Sequence, residues 1–132
     1  MRYKNIPLIT MVLEGQVEER VETGFLFGFY GPLLTERQKL LLSLWCEEDL
    51  SLSEIAEREG ISRQGVHDTV HSAQRRLYEL ESKLGLAARY RQLISGLETC
   101  LDEIRMIPGE PAREIEEKLL RILAWEEDDD GV

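Results

Sequence analysis

SLSEIAEREGISRQGVHDTV, Ser51–Val70, carries two helix starts and one tight turn within twenty residues. Ser51 is a good N-cap, and Glu54 stands three residues on, as a capping box requires. Leu52, Ile55 and Ala56 then fall on one face of a short helix. Gly60 supplies the left-handed backbone of a tight turn. Ile61 is an apolar plug for that turn, and Ser62 caps the next helix. Val66 and Val70 recur at helical spacing, pointing inward. The small Ala56 lets the second helix cross the first closely. These residues stand in the register of a helix-turn-helix, two helices meeting steeply through a short turn.

Working outward, strand signals are nearly absent and the expected fold class is all-α. A first helix is predicted from about Val17 to Tyr30, with Val17, Val21, Phe25 or Leu26, and Phe29 on one side. Gly24 and Gly28 weaken it, and Tyr30–Pro32 ends it. Thr35 and Gln38 form a capping box opening a second helix, whose apolar face is Leu41, Leu44 and Trp45. The acidic Glu47, Glu48 and Asp49 close it. Beyond the turn, Val66, Val70, Ala73, Leu77, Leu80 and Leu84 form a heptad seam on a long fourth helix, with Gly85 just past its end. A fifth helix is expected over Ala87–Ile107, with Tyr90, Leu93, Leu97, Leu101 and Ile104 on one side. Pro108–Pro111 should break it. A sixth is expected over Ala112–Trp125, presenting Ile115, Leu119 and Ile122. The implied organisation is an N-terminal extension at 1–16, a helix-turn-helix domain at 17–84, a helical arm at 85–125 and an acidic disordered tail at 126–132. The extension has a short basic and apolar start, but Pro7 and Thr10 interrupt the run and no signal-peptide cleavage site follows.

The 132-residue chain has a formal net charge of −10. Nucleic acid is a polyanion, so this total argues against a strongly basic binder. The acidity is uneven. Residues 1–34 carry three basic and four acidic side chains, 35–84 seven and ten, and 85–132 six and twelve. The helix-turn-helix is thus only mildly acidic. Arg63, Gln64, His67 and Asp68 lie outward near the start of the fourth helix, followed by Arg75, Arg76 and Lys83. Arg63 can grip guanine through two hydrogen bonds and Gln64 can read adenine. Asp68 would repel phosphates. Candidate nucleic-acid contacts are Arg63, Gln64, His67, Arg75 and Arg76.

Catalytic and metal chemistry find little support. His67 and His71 are spaced i, i+4, but no third ligand is evident. GFLFGFYG, Gly24–Gly31, has glycines without the Lys-Ser/Thr of a phosphate loop. Cys46 and Cys100 form no CxxC pair and suit a reducing compartment. No cofactor, metal or enzymatic activity is expected, and no apolar run is long enough to span a bilayer.

Ser51–Leu77 resembles region 4 of bacterial sigma factors, the helix-turn-helix that reads a promoter hexamer. A broader resemblance covers roughly Met11–Leu86. LFGFYGPLLTERQ (Leu26–Gln38), DLSLSEIAEREGISRQGVHDTV (Asp49–Val70) and ELESKLGL (Glu79–Leu86) are similar to the YlxM family of small bacterial proteins. That resemblance implies a cytoplasmic, non-enzymatic regulator associated with the signal recognition particle, binding its RNA or its protein. The same face offers two alternatives, a sequence-specific regulator of duplex DNA and a protein-interaction module. Gly65 departs from the alanine expected in such a helix. The surplus apolar residues of the long helices also suggest a homodimer.

Overall fold

The computed structural model describes residues 15–128. Six α-helices are described: α1 (Gly15–Tyr30), α2 (Glu36–Cys46), α3 (Leu52–Glu59), α4 (Arg63–Leu84), α5 (Leu86–Arg105) and α6 (Glu110–Asp128). A short 3-10 turn, Gly31–Leu33, joins α1 to α2. No strand occurs among the described residues, so the chain is all-α. It divides into two compact units, one reaching Ala87 and the other beginning at Ala88. The N-terminal extension up to residue 14 and the tail from 129 lie outside the described residues.

The first unit is organised around α4, against which α1, α2 and α3 all pack. Its starts and stops follow local chemistry. Thr35 Oγ1 accepts from Gln38 N at 3.2 Å while Gln38 Oε1 accepts from Thr35 N at 3.0 Å, closing the predicted capping box. Ser51 and Glu54 repeat it, at 3.1 and 3.2 Å. Gly60 (φ +67) and Gly85 (φ +64) both take left-handed backbone at helix ends. Asp49 (φ +55) does the same in the loop after α2. Aspartate tolerates that region better than most side chains.

The core gathers Leu26, Tyr30, Leu41, Leu42, Ile55, Val66 and Leu77, each at most 2% exposed. The expected face of α2 is buried, and Leu42, not anticipated there, is buried completely. The seam of α4 is buried from Val66 to Leu80, but Leu84 is 55% exposed. This corrects the expectation that the seam runs to the end of the helix. In its last turn α4 engages α1 through a polar residue instead. Tyr30 Oη donates to Glu81 Oε1 at 2.6 Å and accepts from Leu86 N at 3.1 Å. Glu81 Oε1 also accepts from Ala87 N at 3.0 Å. One hydroxyl and one carboxylate thus satisfy the first free N–H groups of α5, the task a local cap usually performs. Two buried polar residues were also unforeseen: Gln74 Nε2 donates to Thr23 Oγ1 at 3.1 Å and to Glu19 Oε1 at 3.0 Å.

Cys46 sits half-buried at the end of α2. Burial, reinforced by Glu47, pushes its thiol up to about 12. The thiolate is the reactive form, so Cys46 stays almost entirely in the unreactive thiol form at pH 8. In a Cys100→Ser background, a thiol reagent should therefore label the native chain very slowly and the urea-unfolded chain at the ordinary rate. Equal rates would contradict this burial.

In the second unit, α5 starts one residue earlier than expected and stops two earlier, at Arg105. Met106 N donates to Glu103 O and Ile107 N to Ile104 O, tightening the chain into a turn that Gly109 (φ +109) completes. Arg113 Nη2 donates to Ile104 O at 2.9 Å, in the last turn of α5, and to Ile107 O at 2.6 Å, in the turn that follows. Glu116 joins Arg113 and, at 3.3 Å, Arg105. The Pro108–Pro111 stretch separates α5 from α6 as expected, and Pro111 itself lies in the first turn of α6, where its missing N–H costs nothing. α6 also runs on through Asp128, three residues past its expected end. Leu101 and Ala112 are buried, whereas Leu93, Ile115 and Ile122 stand exposed on the faces expected to be apolar.

Candidate nucleic-acid interface

The turn between α3 and α4 aims the start of α4 outward. Both Gly60 N and Ile61 N donate to Ala56 O, sealing the end of α3. Ser62 Oγ then accepts from Gly65 N at 3.0 Å and opens α4. A Cβ at position 65 would come within 3.1 Å of that hydroxyl. The glycine that departs from the expected alanine therefore leaves room for the cap. Val66 and Val70 are buried beneath, so residues 63, 64, 67 and 68 are forced to the surface.

All five sequence candidates are exposed, but they do not form one equivalent set. Arg63, His67, His71 and Arg75 follow one another at i, i+4 steps along a single line of α4. The imidazoles of His67 and His71 stack, their centroids 6.0 Å apart and their planes inclined by 6°. Gln64 is turned along the helix, its Nε2 donating to Asp68 Oδ1 at 2.8 Å. Asp68 Oδ1 also meets His67 Nδ1 at 3.3 Å. These two contacts, His67 first, hold the Asp68 carboxyl below the usual carboxylate range. Asp68 is thus engaged by its own helix rather than standing alone against an incoming phosphate. Arg76 lies 3.5 Å from Glu79 and is partly neutralised.

Arg63, His67 and His71 also line a groove of about 330 Å³ between α1, α3 and α4, with Glu19, Ser51 and Gln74. Arg20 lies at this groove too, donating to Leu50 O at 3.3 Å and covering the Trp45 ring at 5.0 Å. His71 and the two α1 residues were not among the sequence candidates. The i, i+4 spacing could have placed His71 on the line; nothing local could have brought α1 to it. Among the described residues, no three His, Cys, Asp or Glu side chains are grouped as metal ligands would be. No helix of the described residues is long and apolar enough to cross a membrane.

Comparison with known proteins agrees with this geometry. The family described as helix-turn-helix protein, YlxM / p13 like (UPF0122), matches residues 17–110. The chain belongs to this family. A UPF0122 protein of Symbiobacterium thermophilum is 45% identical over 82 residues, covering 60% of this chain and 77% of the relative. One of Desulforamulus reducens is 39% identical over 103 residues, covering 78% and 86%. One of Clostridium novyi is 35% identical over 88 residues, covering 67% and 76%. The match takes in all of α2 to α5 and most of α1, and therefore the whole helix-turn-helix.

Proposed function

We propose that this protein is a non-enzymatic, cytoplasmic regulator that binds nucleic acid through α4. Its ligand in this reading is the RNA of the signal recognition particle, to whose pathway the family resemblance points. The observation that carries the nucleic-acid reading is the line Arg63–His67–His71–Arg75, two arginines and two imidazoles exposed on the second helix of a helix-turn-helix. Phosphate contacts dominate the affinity of such faces, and each cation adds to the salt dependence. Two arginines per chain give weak binding, so two copies joined through the long helices would strengthen it by presenting two lines.

The test is binding of the particle's RNA and of a duplex DNA of equal length, across a salt series. Wild-type affinity should fall steeply with salt. Arg63→Ala combined with Arg75→Ala should weaken binding about 10- to 100-fold and reduce the salt slope by about two. Preference for one particular duplex over RNA would favour the alternative of a sequence-specific regulator of duplex DNA. Affinity unchanged by both substitutions would overturn a nucleic-acid role for α4. A second reading, contact with a protein such as the particle's own subunit, is favoured by Glu19 in the groove and by the net charge of −10. It predicts capture of that subunit with little salt dependence.

A further inference from the structure

The second unit leaves much apolar surface in water. Leu101 and Ala112 are buried there, whereas Leu93, Met106, Ile107, Ile115, Leu120 and Ile122 are exposed by 40% or more. A unit this small rarely holds together without a further surface to bury against. On α5, one exposed line runs Arg89, Leu93, Gly96, Cys100, Glu103, at alternating steps of four and three. That is the spacing of a coiled-coil seam. Gly96 stands at its centre. Its backbone is ordinary right-handed helix, and a Cβ added there would meet nothing within 4 Å. Glycine is among the least favourable residues in a helix interior. Nothing in the second unit itself accounts for it. A second helix crossing at that point would, because glycine lets two backbones approach closely.

The chemistry of the line identifies that helix. Its two halves are complementary about Gly96: a cation and a leucine on one side, a small thiol and an anion on the other. A two-fold, antiparallel crossing places Arg89 against Glu103 of the other copy, Leu93 against its Cys100, and glycine on glycine. A parallel pairing would set Arg89 against Arg89. We propose that two copies of this chain associate antiparallel through α5, crossing at Gly96. This names the dimer face of the reading above and rests on that reading only for its biological purpose. It also shields Leu93, the most exposed large apolar side chain within α5.

Sedimentation equilibrium of the full chain tests it. The expected mass is twice the 15.3 kDa of the chain. Leu93→Glu should give the monomer with its helical circular dichroism intact. Arg89→Glu should weaken the dimer about fivefold or more, and Arg89→Glu with Glu103→Arg should restore it, because the antiparallel pairs are re-formed with signs exchanged. A 15.3 kDa mass at every concentration would overturn the proposal. So would a Leu93→Glu protein that stays dimeric, or a double variant no tighter than the single. The Arg63→Ala/Arg75→Ala chain should remain dimeric, so loss of nucleic-acid binding and loss of self-association are read separately.

Discussion

Leu77→Ala is expected to lower the stability of the folded chain by about 3–5 kcal/mol. Leu77 lies on α4 with none of its side chain exposed, on the helix against which α1, α2 and α3 all pack. Truncation removes the transfer energy of the lost carbons and leaves a cavity that rigid helices close only in part. Domains of this size are stable by only about 5–15 kcal/mol, so the substitution consumes a large fraction of the total. Urea denaturation should show a lower midpoint at unchanged slope, the mark of lost stability rather than an altered unfolded state. Leu84→Ala is the internal control. Leu84 lies on the same seam one heptad further along, seven positions on, yet it is 55% exposed. Its truncation should cost under about 1 kcal/mol, the range of a surface substitution. Equal losses from the two would mean that α4 is covered along its whole length, against the fold described above.

Tyr30→Phe should cost about 1–3 kcal/mol, although it removes a single oxygen. The Tyr30 ring is almost wholly buried, and its hydroxyl gives one hydrogen bond to Glu81 and takes one from Leu86 N. Phenylalanine fills the same space but leaves a carboxylate and an N–H short of a partner at the junction of α4 and α5. The effect carries a pH signature. Burial, and then the Glu81 carboxylate beside it, raises the Tyr30 phenol above its ordinary value of 10.0. The folded state therefore holds this proton more tightly than the unfolded chain does. The stability it contributes is fully present below pH 10 and is lost as pH rises from there through the raised folded value. Wild type and Tyr30→Phe should thus differ most at neutral pH and converge in alkaline urea titrations. A gap that widens with pH would show that Tyr30 ionises more easily in the fold, and the hydrogen-bond account would fail. Cys46 has the same sign of shift but is present in both proteins, so the difference between them isolates the phenol.

Much of this molecule is legible residue by residue, and the readable part is the part set by near neighbours. Thr35 with Gln38, Ser51 with Glu54, Ser62, Gly60 and Gly85 fixed helix starts and stops because each acts on backbone groups within four residues. The 3.6-residue repeat of Val66, Val70, Ala73 and Leu77 likewise chose the inner face of α4 before any partner was known. Membership of the helix-turn-helix family rests on the same local pattern. The candidate site was readable to a similar depth. Exposure of Arg63, Gln64 and His67 follows directly from burial of Val66 and Val70.

What needed the tertiary structure is whatever depends on residues far apart in the chain. Which end of the α4 seam is covered could not be read from its spacing, since Leu80 and Leu84 look alike until α1 is in place. That Glu81 would face Tyr30, 51 positions away, has no local signal. Nor does burial of Gln74 against Thr23 and Glu19. On the outward face of α4, sequence supplied the side chains, and packing sorted them. Asp68 drew in Gln64 and His67, while α1 brought Glu19 and Arg20 to the groove that Arg63 lines. A helix determines its own ends and its own faces through short-range hydrogen bonds and periodicity; which faces are covered, and by what charge, is decided only when separate helices meet.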